Sequence, residues 1–261
     1  MKDNRLLIIR IGNDGISFST LRDGTVTFEP YTMNSSISAA ANMRQALQSA
    51  TLPKEQFERV LVMADTPVLM MPADLFDEDS AETLYHHAFT KGGQVTVIHS
   101  ILPDLHAVAL YALPKDLTTV LCDAFVEVRY TPAMAPVWRH MHQRSYTDQH
   151  RKLYACYHDR RVDVFSFAQN RFVFCNSYDA QRSDDVLYYV LAAWKTLALD
   201  AGHDELFMMG DFPDREHLVD RAREFVKRVF YIHPSGEFNR ASVTQIAGMS
   251  YDLMTLYVKG R

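Results

Sequence analysis

The sequence has few cysteines, no long apolar run and no cluster of lysine and arginine. Its three cysteines, Cys122, Cys156 and Cys175, are odd in number and lack metal-site spacing, so we expect buried free thiols rather than a disulfide framework. No apolar run approaches the roughly 20 residues that span a bilayer. Residues 1–10 lack the small-residue cleavage site of a secretion signal. These absences predict a cytoplasmic protein without a membrane span.

The charge balance is acidic, with a net charge of −5 and no basic run. A broad face of lysine and arginine is needed to bind a phosphate backbone, so nucleic acid is not expected as a partner. The 48% of hydrophobic residues and 23% of charged residues are typical of a globular protein. Because a domain holds roughly 150 residues, the chain length of 261 predicts two domains.

Several common catalytic motifs are also missing. The sequence contains no nucleophile elbow, no Walker loop and no complete dinucleotide fingerprint. The sequence neither supports nor excludes a Ser-His-Asp triad, because these residue types are common and their geometry is not visible in a sequence. On a helix, His86 and His87 would point about 100° apart and His140 and His142 roughly 200° apart, so neither pair chelates a metal. We predict no catalytic residue and no metal site, and we expect these histidines and His158 to be exposed or hydrogen-bonded.

What the sequence does contain is a recurring order of elements. The first copy predicts strands at residues 6–11, 16–21, 26–28 and 60–63. Apolar and polar residues alternate along the second of these strands, and Asp23-Gly24 is a strong hairpin signal. Between the third and fourth strands, Ser35 or Ser36 is predicted to cap a helix that Pro53 ends.

The second copy repeats this order of three strands, a helix and a fourth strand. Its strands are predicted at residues 153–157, 162–167, 171–175 and 206–209. Ser183 precedes a helix that runs to about Leu199, and Gly202 is of a residue type that terminates helices. Ser183 follows Ser36 by 147 residues and Asp211 follows Asp65 by 146, so spacing and element type agree between the copies. We therefore predict an internal duplication.

The remaining segments complete two predicted domains. Further strands are predicted at residues 69–71, 95–102, 107–113, 126–130 and 229–232, and helices around residues 84–89, 117–122, 132–149 and 214–227. Residues 67–113 are typical of an inserted subdomain, so we predict a first domain at residues 1–132 and a second at residues 133–261. The aromatic rings of Tyr188 and Phe225 are expected to face the core. The tail after residue 232 is not assigned.

A duplicated meander, helix and alternating strand resembles the superfold shared by actin, hexokinase and heat-shock chaperones. The resemblance covers residues 6–232. More narrowly, the chain resembles a bacterial family of this length that has an actin-like ATPase fold and no known function, and distantly the cytoplasmic domains of pilus-assembly and type II secretion platforms. The resemblance implies an α/β protein with two ribonuclease-H-like lobes that face a cleft, each lobe a mixed five-stranded sheet with helices.

Active members of this superfold hold ATP with three local signatures, and each departs from the pattern here. The first is a hydrophobic-Asp-x-Gly turn whose carboxylate organises hydrated Mg²⁺. The matching segment is Ile9-Arg10-Ile11-Gly12, in which Gly12 is kept but Arg10 stands at the position of the carboxylate. Asp14 is either a substitute for the missing carboxylate or only the turn residue of the hairpin.

The second and third signatures are equally altered. The second is a glycine-rich turn over the β- and γ-phosphates, and the matching residues 155–161 contain no glycine. Residues with a β-carbon rarely take the positive φ of such a turn, so Arg160 and Arg161 either bind an anion or are solvated at a hairpin tip. The third is a pair of glycines beside adenine, of which only Gly210 is kept. This glycine allows either a close backbone approach to a ligand or the turn before the next helix.

These departures favour a degenerate actin-like protein that is non-catalytic or weakly catalytic, a non-hydrolysing scaffold or adaptor that binds another protein and no cofactor. The alternative is an ATP-binding enzyme or switch with an atypical phosphate site. The candidate cofactor-binding residues for that alternative are Arg10, Gly12, Asp14, Arg160, Arg161 and Gly210.

Overall fold

The computed structural model describes residues 6–89, 93–145 and 150–259. The described residues form two compact units. The first comprises the chain up to residue 101 together with residues 108–135 and 245–249, and the second comprises residues 102–107, 136–244 and those from 250 onwards. Within the described ranges, no helix combines the length and the apolar character needed to cross a membrane.

The first half of the chain contains eight strands and four α-helices within the described residues. In chain order these are β1 (Leu6–Ile11), β2 (Gly15–Arg22), β3 (Thr25–Thr32), α1 (Ala39–Ser49), β4 (Arg59–Ala64), β5 (Leu69–Pro72), α2 (Ala81–Ala88), β6 (Val95–Leu102), β7 (Ala107–Pro114), α3 (Lys115–Ala124), β8 (Val128–Pro132) and α4 (Ala135–Ser145). The helix predicted to continue to residue 149 ends at Ser145, and residues 146–149 lie outside the described ranges.

The second half contains five strands and four α-helices within the described residues. These are β9 (Lys152–His158), β10 (Arg161–Ala168), β11 (Arg171–Asp179), α5 (Ser183–Thr196), β12 (Glu205–Gly210), α6 (Arg215–Phe225), β13 (Arg228–Ile232), α7 (Pro234–Glu237) and α8 (Tyr251–Lys259). The tail that the sequence leaves unassigned therefore contains two α-helices in its described part, up to residue 259.

Two five-stranded sheets have the same strand order and the same directions. The first runs β3-β2-β1-β4-β8 and the second β11-β10-β9-β12-β13. In each sheet the first three strands are antiparallel, and the last two run parallel to the central strand. A third, three-stranded sheet has the order β5-β7-β6. The predicted α/β fold with two mixed five-stranded sheets is confirmed.

Helices α1 and α5 each differ from the sequence-based expectation at one boundary. The cap of α1 is Ser38, whose hydroxyl accepts a hydrogen bond from the Ala41 amide at 3.1 Å, rather than Ser35 or Ser36. Helix α5 ends at Thr196, and the chain then turns through Ala198, which has a φ of +47°. The predicted terminator, Gly202, follows that turn instead of forming it.

Helices α5 and α6 pack on one face of the second sheet. Val190 and Trp194 of α5 and Leu218 of α6 are buried against a group of apolar strand residues: Leu153, Ala155, Val164 and Leu206. Two expectations about the core are wrong, because Tyr188 is 68% exposed and Phe225 is 50% exposed on the outer sides of these helices. Both residues lie at positions that the helical period turns away from the sheet.

The three cysteines differ in their surroundings. Each is a free thiol, and Cys156, in the middle of β9, is buried as expected. Cys175 is only partly buried, and Cys122 is exposed on α3. The expectation of buried thiols is therefore wrong for Cys122.

Candidate functional site

The carboxyl end of β1 in the first unit carries a buried ion pair. Arg10 is only 6% exposed, and its Nη2 lies 3.3 Å from Oδ2 of Asp65. Asp65 follows β4, the parallel neighbour of β1, and its amide donates to the Ile11 carbonyl at 2.9 Å. The strand pairing thus places a carboxylate beside the arginine that replaces the signature aspartate. A buried cation requires such a partner, because its desolvation is otherwise costly.

Gly12 and Asp14 form the turn between β1 and β2. The Gly12 amide donates to the Gly15 carbonyl at 2.9 Å, and the Asp14 carbonyl accepts from the Met33 amide at 3.0 Å. Asp14 itself is exposed. The bond between Gly12 and Gly15 therefore closes the hairpin, and the Asp14 carbonyl joins the turn to Met33 after β3. Arg10, Gly12 and Asp14 lie together at this end of the first sheet.

The turn between β9 and β10 is the matching position in the second unit. Asp159 has a φ of +45° and Arg160 a φ of +61°. Residues with a β-carbon thus adopt the left-handed backbone here, against the expectation, because a two-residue hairpin of the type I′ class needs positive φ at both central positions. The Asp23-Gly24 turn also has a positive φ at both central positions, +47° at Asp23 and +78° at Gly24, but its second residue is a glycine.

The two arginines of this turn have different environments. Arg160 is exposed, and its carbonyl accepts a hydrogen bond from the Ala180 amide at 2.9 Å. Arg161 is only 5% exposed at the start of β10. The interpretation of two solvated arginines at a hairpin tip is therefore wrong for Arg161.

A buried polar cluster that the sequence does not reveal lies next to this turn. Asp163 of β10 accepts a hydrogen bond from the hydroxyl of Ser177 on β11, and its other oxygen lies 2.5 Å from Nε2 of His158 on β9. The three residues lie on three neighbouring strands and meet through the strand register, in which Asp163 faces Ser177. Strand register is not visible in a single sequence, so no signal could have identified the cluster.

The order of contacts in this cluster argues against a nucleophilic triad. In a Ser-His-Asp triad the histidine lies between the serine and the carboxylate, so that it can accept the serine proton. Here the carboxylate of Asp163 lies between Ser177 and His158, so the serine hydroxyl is bonded to an oxygen that is a poor base. The cluster holds the three strands together and presents no activated serine.

Gly210 is the last residue of β12, and the neighbouring strand leaves no space for a side chain at this position. Its φ is +94°, and a β-carbon at this position would lie 2.1 Å from the carbonyl oxygen of Tyr157 on β9. The Gly210 carbonyl in turn accepts a hydrogen bond from the Tyr231 hydroxyl at 2.7 Å. The close approach that a glycine allows here is between two strands. Gly210, Arg160 and Arg161 lie together at the carboxyl end of β9.

His86, His87 and His140 are exposed or bonded, as predicted. His86 and His87 are exposed on α2. His140 of α4 is buried, and its Nε2 lies 2.6 Å from Oε1 of Glu237 on α7. The other carboxylate oxygen of Glu237 accepts a hydrogen bond from Arg144. The bond with His140, together with Arg144, holds the pKa of the Glu237 carboxyl well below its ordinary value of 4.5, at about 2.

Comparison with known proteins identifies the fold. The family model described as "Protein of unknown function (DUF3822)" matches residues 2–229. A solved protein with actin-like ATPase fold and unknown function from Bacteroides thetaiotaomicron is 25% identical with a TM-score of 0.83, covering 94% of this chain and 99% of its own. A chain of the PilM–PilN type IV pilus biogenesis complex is 9% identical with a TM-score of 0.60, covering 98% of each chain. No curated protein matches the sequence.

Proposed function

Since the chain belongs to the family described as "Protein of unknown function (DUF3822)" and has the actin-like ATPase fold, we propose that it is a non-hydrolysing scaffold or adaptor. It binds another protein and requires no cofactor. The observation that carries this proposal is the buried ion pair of Arg10 and Asp65 at the end of β1.

This ion pair opposes the binding of Mg²⁺ at the first signature. A hydrated Mg²⁺ needs carboxylate or phosphate oxygens, and the carboxylate of Asp65 already faces the guanidinium of Arg10. The side chains are only 7% and 2% exposed, so water screens their charges poorly. A divalent cation placed here would be repelled by Arg10 at close range. Mg²⁺-assisted transfer of a phosphoryl group therefore loses its anchor in the first unit.

A protein partner is favoured over a small ligand by the kind of assembly that this fold enters elsewhere. The PilM–PilN chain with a TM-score of 0.60 comes from a complex of two proteins. At 9% identity it shows the fold alone, so it motivates the class of partner and not its identity. We also propose a cytoplasmic location, as the sequence analysis expects.

One observation favours the alternative, an ATP-binding enzyme or switch. The Asp159-Arg160 turn has the left-handed backbone that a phosphate loop uses, and Arg160 is exposed beside it. The candidate phosphate-binding residues of this alternative are Arg10, Gly12 and Asp14 in the first unit, and Arg160, Arg161 and Gly210 in the second.

Thermal unfolding with millimolar ATP, in the presence and absence of Mg²⁺, separates the two proposals. A ligand at one hundred times its dissociation constant adds about 2.7 kcal/mol to the free energy of unfolding, which shifts Tm by several degrees. We expect no shift in either condition. A shift that requires Mg²⁺ would overturn the scaffold proposal.

A shift without Mg²⁺ would support the alternative if it disappears in Arg160→Ala. The matched control is Arg171→Ala, which removes an exposed arginine beside the next hairpin turn of the same sheet. Loss of the shift in both variants would indicate general electrostatic attraction instead of a site.

A further inference from the structure

Strand β6 borders a cavity in the first unit. The cavity has a volume of about 450 Å³, and its lining comprises residues 95–99 of β6, Glu78, Ala81 and Glu82 at the start of α2, and Lys115 at the start of α3. This volume lies within the roughly 300–1,000 Å³ that is typical of ligand pockets. The lining belongs to none of the turns described above.

The free edge of β6 faces this cavity. Successive side chains of a strand point to opposite faces of its sheet. Val95 and Val97 lie on the face of β6 that packs on the α2 side. Thr96 lies on the opposite face, where its hydroxyl oxygen is 3.3 Å from that of Thr118 on α3. Residues 95–99 alternate between the two faces of β6, yet all five line the cavity. The cavity therefore follows the edge of the strand, between its two faces. In the order β5-β7-β6 this edge has no further strand. Among the described residues, backbone bonds outside the sheet reach Gln94 but not residues 95–99.

An exposed strand edge offers a row of backbone donors and acceptors to another extended chain. Proteins use such edges for recognition by strand addition, in which main-chain hydrogen bonds give affinity and side-chain contacts give specificity. The cavity beside β6 offers both kinds of contact. The unpaired backbone edge of the strand is available for main-chain hydrogen bonds, and the apolar side chains of the strand and of Ala81 are available for side-chain contacts.

The charges beside the edge select the partner's chemistry. The turn and first residues of α2 carry four exposed carboxylates within six residues, and two of them, Glu78 and Glu82, line the cavity. Among the lining residues that the structure describes, one lysine, Lys115, opposes them. A segment with lysine or arginine therefore gains attraction, whereas an acidic segment is repelled.

We propose that the cavity binds an extended basic segment of a partner protein, which adds to β6 as a fourth strand and directs a lysine or arginine at Glu78 and Glu82. This inference rests on the proposed scaffold function and specifies the surface used. It commits to a heterologous segment rather than a second copy of this chain, whose net charge of −5 disfavours docking on an acidic edge.

Peptide display tests the proposal with a defined probe. A library of random decapeptides is selected on the full chain, and the enriched peptides are synthesised and measured by fluorescence anisotropy. We expect sequences in which β-branched residues alternate with lysine or arginine. Binding should weaken about tenfold or more in Glu82→Lys, because an attractive charge becomes repulsive, and it should weaken at high salt. N-methylation of alternate peptide amides should abolish it.

The matched control is Asp123→Lys. Asp123 is exposed on α3 in the same unit and does not line the cavity, and the substitution changes the net charge by the same amount. We expect this variant to bind the peptides within about twofold of the unsubstituted chain, since a distant surface charge is screened. Equal loss in both variants would overturn the proposed site in favour of general attraction.

Three other outcomes would overturn the proposal. They are the absence of any enriched peptide, enrichment of acidic peptides, and a dimer in sedimentation that Glu82→Lys dissociates, which would make a second copy the occupant of the edge. None of them bears on the scaffold proposal, which the ATP titration tests separately. A shift that requires Mg²⁺ in that titration, with peptide binding intact, would overturn the scaffold and leave the cavity site standing.

Discussion

At the residue scale, Gly210 illustrates how a single position depends on the strand beside it. Two features oppose any side chain there: the backbone has a φ of +94°, and the Tyr157 carbonyl oxygen occupies the space of a β-carbon at 2.1 Å. Backbone atoms cannot rotate away as a flexible side chain can. The glycine is thus explained by the pairing of β12 with β9, whether or not a ligand binds nearby.

We predict that Gly210→Ala destabilises the second unit by roughly 3–5 kcal/mol, the combined cost of a left-handed φ and a steric overlap. The control is Gly24→Ala, at a φ of +78° with no atom within 4 Å of the added carbon. It should cost only about 1 kcal/mol. Urea unfolding measures both free energies, and equal costs would contradict the role of the Tyr157 contact.

Glu237 provides a test of pH dependence at the same scale. Its pKa is lowered to about 2 by the bond with His140 and by Arg144. A carboxyl group whose pKa is lower in the folded chain stabilises the fold above its unfolded pKa, and this contribution is lost as the pH falls towards the folded pKa. The stabilising window therefore lies above about pH 4.5, and the loss occurs between pH 4.5 and about 2.

We predict that Glu237→Gln lowers the free energy of unfolding by about 2 kcal/mol at neutral pH, because it weakens the hydrogen bonds that the charged carboxylate accepts. The difference from the unsubstituted chain should shrink as the pH falls below 4.5. The control is Glu224→Gln, which removes an exposed carboxylate of α6 paired with Arg221 at 3.5 Å. Such surface pairs contribute about 0–1 kcal/mol. A difference that stays constant down to pH 2.5 would contradict the assignment, as monitored by urea unfolding at each pH.

At the element scale, the end of α5 shows a residue in a conformation that glycine normally occupies. Ala198 is exposed with a φ of +47°, and its carbonyl accepts a hydrogen bond from Arg151 at 2.8 Å. Left-handed positions just after a helix are commonly glycine, because a β-carbon is strained there. This is the reason why the helix end could not be located from Gly202.

We predict that Ala198→Gly stabilises the chain by about 0.5–1 kcal/mol, since relief of the left-handed strain exceeds the entropy lost by glycine. The control is Ala192→Gly, an exposed position inside α5, which should destabilise by about 1 kcal/mol. The same substitution is thus expected to have opposite signs six residues apart. Thermal and urea unfolding measure both, and equal signs would refute the role of φ.

The strands were predicted more accurately than the contacts between them. Alternating residues and hairpin turns such as Asp23-Gly24 locate β1 to β3, because both signals are local. The pairs of Arg10 with Asp65 and of His158 with Asp163 depend on which strands are neighbours and on their register, so no local pattern reveals them. The turn at Asp159-Arg160 was misjudged because the hairpin imposes a backbone that these residues disfavour on their own.

At the scale of the whole molecule, the duplication is visible in topology and weak in sequence. Both large sheets share one order of strands, with the central strand hydrogen-bonded on both sides. The central strands are also the most buried: every residue of β9 is buried, as is every residue of β1 after Leu6. The side chains around this common framework depart from the pattern of the superfold, as Arg10 shows. The two sheets therefore share their fold most clearly in the central strands, where burial and hydrogen bonding are densest.

Hydrogen exchange of the full chain tests this distribution of stability. We predict that, within each unit, the amides of β1 and β9 exchange more slowly than those of the edge strands β3 and β13, by roughly 2 kcal/mol or more in opening free energy. The physical reason is that an edge strand bonds on one side only and opens without disrupting the rest of its sheet. Rates are compared within a unit, so that a difference in stability between the units does not enter. If the amides of β9 exchanged as fast as those of β13, the second sheet would open as a whole. That result would contradict our prediction that the central strand is more stable than the edge strands.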